Sequence, residues 1–263
     1  MSKYSKKIIK KYKSSKKSSL IVYLILRLLV IICAFSQFLI GNIPNTILCI
    51  FSLVLFTLPT FFEEKLKIEL PTLLESIVYV FIFSAEILGE INNFYGIIPY
   101  WDTILHTLNG FICAGVGLSL VDLLNVNSKN INLSPMYVAI VSFCFSMTVG
   151  VCWEFFEFSA DYFLKTDMQK DRIITTISSV ELNEDKENKS IIINNIDSTE
   201  IKTKDGNTLI IENGYLDIGI IDTMKDLLVN LIGAVTFSIF GYIYIKNRDK
   251  NNLVEKFIPK KIE

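Results

Sequence analysis

The chain reads as an all-α polytopic membrane protein, a six-transmembrane helix bundle with a small extracytoplasmic β-hairpin insertion between spans 5 and 6. Three observations predict this class. Of 263 residues, 51% are hydrophobic, and the mean hydropathy of +0.44 exceeds that of an ordinary soluble domain. The apolar residues fall in blocks of about 20 or more, the length a helix needs to cross a bilayer. Backbone polar groups find no water inside lipid, so such blocks must be helical.

Taken in order, residues 1–19 form a basic tail with eight lysines (Lys3, Lys6, Lys7, Lys10, Lys11, Lys13, Lys16, Lys17). By the positive-inside rule this tail stays in the cytoplasm. No small-residue cleavage site follows the first apolar run, which argues against a signal peptide. Beside a membrane helix the lysines read as an orientation signal and a contact for anionic lipid; no nucleic-acid partner is expected. Residues 20–165 hold spans 1–5, at roughly 20–40, 43–62, 72–91, 100–124 and 136–165. Span 6 covers 221–245, and 246–263 is a second basic tail with Lys246, Arg248, Lys250, Lys256, Lys260 and Lys261. Six spans put both termini inside, and Lys65, Lys67 and Lys129 then fall in cytoplasmic loops. The expected location is the cytoplasmic membrane of a bacterium.

Spans 1 and 2 read as scaffold. Their one strongly charged interior residue, Arg27, lies near the cytoplasmic end, where its long side chain can snorkel to the headgroups; an internal ion pair with Glu75 or Asp122 is the alternative. No span is interrupted by Gly or Pro near its middle. All five cysteines lie within spans without a CxxC, so neither a disulfide framework nor a zinc knuckle is indicated.

Between spans 5 and 6, residues 166–220 form a polar extracytoplasmic loop. Glu200–Lys204 and Asn207–Glu212 alternate around Asp205–Gly206, a pattern that predicts a hairpin with a type I′ turn. Arg172–Val180 and Ser190–Ile196 are further β-like runs, giving three or four strands. Nothing catalytic clusters within this loop, so it reads as a peripheral insertion.

Chemistry concentrates in the last three spans. Asp102, His106 and Asn109 open the fourth; Glu154, Glu157 and Asp161 close the fifth; Asp222, Asp226 and Asn230 open the sixth. At 100° per residue each set stays within about 80° of helix face. The alternating topology places all three stripes, with Glu86 and Glu90 of span 3, in the outer half of the membrane. Insertion scales charge roughly 2.5–3.5 kcal/mol for an ionised group at a helix centre, so such residues carry function. The eight carboxylates face only Lys165, Lys225 and His106, the single histidine. Unpaired carboxylates in low dielectric take up protons or bind cations.

A layer of one imidazole and two carboxylates above amide oxygens suits Mn, Mg, Zn or Fe as the divalent metal ion. The expected metal ligands are Asp102, His106, Glu154, Glu157, Asp161, Asp222, Asp226 and Asn230, with His106 and Glu154 as catalytic groups. A hydrogen-bonded polar core without chemistry is the bland alternative, in which Gly110, Gly115, Gly150 and Gly233 only allow close helix packing.

The strings WDTILHTLNGF (101–111), WEFFEFSAD (153–161) and DTMKDLLVNLIGA (222–234) resemble the YjdF-type bacterial inner-membrane family, which has no established activity. Its pattern of D-x3-H, then W/Y-E-x2-E, then D-T-x2-D followed by G-A is matched in order over roughly 86–245, minus the polar loop. A more distant resemblance links Asp102/His106 and Asp226/Asn230/Gly233 to VanZ-like membrane proteins; Glu157 stands where that pattern has Gln. That resemblance implies a lipid or envelope-linked substrate.

Three functions are compatible with these residues. The first is a metal-dependent enzyme at the outer leaflet, in which a metal activates water or polarises a phosphoryl or carbonyl oxygen and Glu154 is the general base. The second is a non-catalytic envelope protein with a polar core. The third is a cation or proton-coupled transporter, against which no polar path continues through the inner leaflet. Membrane lipids are the expected partners.

Overall fold

The computed structural model describes residues 17–127, 132–247 and 260–261. Most of the N-terminal lysine tract, Lys129, Arg248, Lys250 and Lys256 lie outside the described residues. Six helices are long and apolar enough to cross a membrane: Ser18–Leu39, Ile43–Lys65, Thr72–Ile91, Trp101–Asn125, Pro135–Leu164 and Ile220–Asn247. Each falls within a few residues of the span expected from hydropathy. The elements are α1 (Lys17–Leu39), α2 (Ile43–Leu55), α3 (Leu58–Leu66), α4 (Thr72–Ile82), a π-helical segment (Phe83–Ile91), α5 (Phe94–Ile97), α6 (Trp101–Asn127), α7 (Pro135–Leu164) and α8 (Ile220–Asn247).

The chain divides into two compact units, Met1–Gly150 with Val229–Glu263, and Val151–Leu228. In the first, α1 turns into α2 through Gly41, whose φ of +77° is a conformation that glycine adopts without a Cβ penalty. Asn42 then caps α2 by accepting from the Asn45 backbone N–H at 3.1 Å. Val30, Cys49, Phe56, Tyr79 and Ile82 close a core among α1, α2 and α4. A second core joins Leu74 of α4 to Ile112 of α6, and a third joins Ala114 and Leu118 of α6 to Val138 of α7 and Phe237 of α8. The first span is 11% buried and the fourth 50%, so α6 is the inner helix while α1 turns its apolar side chains outward.

Two helices depart from the expected regularity. The second span breaks between α2 and α3, where Thr57 precedes Leu58–Pro59 and Pro sits in the first turn of α3. Pro59 has no N–H to continue the ladder, and its ring restricts the residue before it, so the break falls toward the end of the span and not near its middle. The third span ends in π-helical turns rather than α. There the Asn92 N–H reaches back five residues to Ile87 O at 3.1 Å, and Trp101 Nε1 donates to Ser84 O at 3.3 Å. Such segments are rare and recur at functional sites.

Arg27 donates to Tyr23 Oη and lies over its ring, one turn toward the N-terminal end of α1. That is the direction snorkelling requires. Glu75 accepts instead from Tyr79 Oη at 3.1 Å. Backbone pairing of Ile68–Glu69 (β1) with Lys260–Lys261 (β8) brings the C-terminal segment to the loop before α4.

The second unit contains the end of α7, the start of α8 and the polar loop. The loop forms six short strands where three or four were expected: β2 (Arg172–Ile174) with β7 (Tyr215–Asp217), β3 (Ile177–Ser179) with β4 (Ile191–Ile193), and β5 (Ser198–Lys202) with β6 (Thr208–Glu212). The β5–β6 hairpin stands where alternation placed it, but its turn is corrected. Lys202 pairs with Thr208, Thr203 N–H bonds Asn207 O at 2.9 Å, and Gly206 N–H bonds Thr203 O at 3.1 Å. Only Gly206 has positive φ, +83°, whereas a type I′ turn needs two such residues. The result is a longer loop with glycine at its left-handed position.

Candidate metal centre

Asp102 lies in the first turn of α6, where the helix dipole favours an anion. Four residues on, His106 is on the same face, its Nε2 3.3 Å from Asp102 Oδ1. Their side chains are 20% and 10% exposed. A carboxylate in this position fixes the ring's orientation, as partners of metal-binding histidines do.

One turn further, Asn109 Nδ2 donates to Oδ1 of Asn230 on α8 at 3.2 Å, and Asn109 Oδ1 faces Cys113 Sγ at 3.4 Å. Asn230 is buried, and its Nδ2 lies 3.6 Å from Met147 Sδ on α7. A Cβ on Gly110 would overlap the Asn230 carbonyl oxygen, and one on Gly233 would overlap that of Thr107. The two glycines are therefore reciprocal, each admitting the opposite backbone. Ser146 Oγ and Ser142 Oγ tie α7 to the same helix by donating to Gly110 O at 2.7 Å and Ala114 O at 2.6 Å. The Asn109–Asn230 bond and the close approach at Gly110 and Gly233 are the features expected of a hydrogen-bonded polar core at this level.

In the second unit, Glu154 and Glu157 of α7 are buried, and Trp153 Nε1 donates to Glu157 Oε1 at 2.7 Å. Asp161 serves the chain itself. Its Oδ1 accepts from Thr166 Oγ1 and Met168 N at 2.7 Å, and its Oδ2 from Gln169 N at 2.8 Å. Asp222 accepts from Arg172 at 2.9 Å and from Lys170 N at 3.0 Å. From the end of α7 and the start of α8, these two carboxylates both hold the first residues of the polar loop, 166–172. Asp226 is buried, with Lys225 Nζ 3.7 Å from its Oδ1.

Charge counting along the spans overlooked Arg172. It comes from the loop, 50 residues before Asp222, and its only trace in sequence is its place at the head of a β-like run. Lys165, counted there as a counter-ion, turns back to its own helix end, donating to Tyr162 O at 2.9 Å.

A family model described as "Predicted membrane protein (DUF2238)" matches residues 19–247. No curated protein and no solved structure matches the chain.

Proposed function

Since the chain belongs to this family of predicted membrane proteins, we propose that its function rests on a divalent cation held within the membrane by Asp102 and His106 of α6. The observation that carries this reading is the largely buried pair on one face of α6, with His106 Nε2 3.3 Å from Asp102 Oδ1. An imidazole beside a carboxylate is a donor pair suited to Mn, Zn or Fe, and to Mg with retained water. The Asn109–Asn230 bond supports it by fixing α6 against α8 one turn below His106.

When bound, such an ion supplies Lewis-acid polarisation of a phosphoryl or carbonyl oxygen. Glu154, 4% exposed, is then the group assigned to accept a proton, and His106 the group that holds one. The substrate class is a lipid or envelope-linked molecule reached from the outer leaflet of a bacterial cytoplasmic membrane. Both termini are then cytoplasmic, and residues 166–220 an extracytoplasmic insertion. Asp161 and Asp222, first grouped with the ligands, are given the clamping role their hydrogen bonds support.

Metal analysis of the detergent-purified protein tests this reading. Wild type is expected to retain near-stoichiometric divalent metal, and His106→Ala and Asp102→Asn to lose it by about tenfold or more. Equal content in all three proteins, or none in wild type, would refute it.

A further inference from the structure

Away from the acidic stripes, α7 and α8 leave an apolar groove of about 270 Å³ between their opposite ends, lined by Met136, Ile140 and Phe143 on one helix and Val235, Ile239 and Tyr242 on the other. Its origin is the choice of small residues at the helix contact. Ala139 and Ser238 form its base, Ser238 Oγ approaches Ser142 Oγ at 3.5 Å, and the larger side chains stand as walls. Met136, Ile140 and Ile239 are more than half exposed, and both helices are long and apolar enough to cross a membrane. Hydrocarbon is therefore the medium that meets the groove.

The groove also has a charged end. Val235, Ile239, Tyr242 and Lys246 follow one another at spacings of four, three and four, so they form one stripe of α8. The stripe is about 16 Å long at 1.5 Å per residue. Lys246 is exposed, and its Nζ lies 5.7 Å above the Tyr242 ring, held over the last lining residue. On the other wall, α7 begins at Pro135, one residue before Met136, and Ser134 Oγ caps it by accepting from Tyr137 N. A helix N-terminus carries partial positive charge.

We propose that this groove binds one acyl chain of an anionic phospholipid, with Lys246 engaging the headgroup phosphate. The volume lies just under the roughly 300 Å³ at which ligand pockets begin, which fits part of one chain rather than a whole lipid. A basic residue at the membrane end of an interhelical groove is the feature by which acidic headgroups are recognised. This site shares no residue with the proposed metal centre.

The test is native mass spectrometry of the full-length protein in detergent, incubated with phosphatidylglycerol or with phosphatidylcholine of the same chains. Wild type is expected to retain phosphatidylglycerol about fivefold better, the factor that corresponds to one lysine near a membrane surface. Lys246→Gln should abolish the headgroup preference while lipid is still retained. Ile140→Trp with Ile239→Trp fills the groove from exposed positions that the fold tolerates, and should reduce retention of both lipids. Equal retention of the two lipids by wild type would overturn the proposal. So would a preference that survives Lys246→Gln, or a tryptophan variant that holds as much lipid as wild type.

Discussion

Asn109 and Asn230, separated by 121 positions, share a hydrogen bond of 3.2 Å at the level where Gly110 and Gly233 bring α6 and α8 backbone to backbone. Neither feature stands without the other. The glycines set the separation, and the amides satisfy polar groups that separation leaves inside the bundle.

Gly110→Ala should therefore destabilise the bundle more than its single methyl group suggests. The new Cβ meets a backbone oxygen, not a flexible side-chain tip, so the helices must part. Overpacking of this kind costs about 1–3 kcal/mol, occasionally more. Thermal unfolding in detergent should show a clear drop for Gly110→Ala and Gly233→Ala, and little change for Gly41→Asn at the α1–α2 turn.

Arg172→Ala should loosen the foot of the polar loop. Hydrogen bonds to charged groups contribute about 1.5–3 kcal/mol, and the 42% exposure of Arg172 places this one at or below the lower end. Hydrogen exchange should accelerate across β2 and β7 while the β5–β6 hairpin is unchanged.

Gly206→Ala should act on that hairpin alone. The position is sterically open, but its φ of +83° penalises any Cβ, by roughly 1–2 kcal/mol. Faster exchange of the Thr208–Glu212 amides is the expected readout, with Gly206→Asn milder than Gly206→Ala.

The loop should also respond to pH through Asp171. Partial burial first, then the carboxylates of Asp167, Asp161 and Asp217, raise this carboxyl above its ordinary value of 3.8. A raised folded-state pKa contributes stability that is complete below the unfolded value and is lost as pH rises through the folded one. Asp171→Asn should thus flatten this part of the profile and slow exchange near β2 at neutral pH. An unchanged difference between acid and neutral pH would show that another group controls it.

Much of this was legible in sequence for a simple physical reason. Spans are long, lipid forbids unpaired backbone, and the 3.6-residue period collects Asp102, His106 and Asn109 on one face. What escaped depends on partners remote in the chain or on single backbone angles. No period announces that Arg172 will meet Asp222, or that Asp161 will turn its oxygens to backbone N–H groups of the segment after it. The π-helical end of the third span was equally hidden, since Phe83–Ile91 has the apolar pattern of an ordinary helix. The Asp205–Gly206 pair marked the turn but not its type, which one residue's φ decides.

The clamp at Asp161 and Asp222, with the β2–β7 ladder just beyond it, has an evolutionary consequence. Both ends of the excursion are secured before residue 175 and after residue 214. The chain between can lengthen, shorten or be exchanged for another module without the helices registering the change. This stem is a ready grafting point, where new recognition can be acquired while the membrane-embedded part keeps its form.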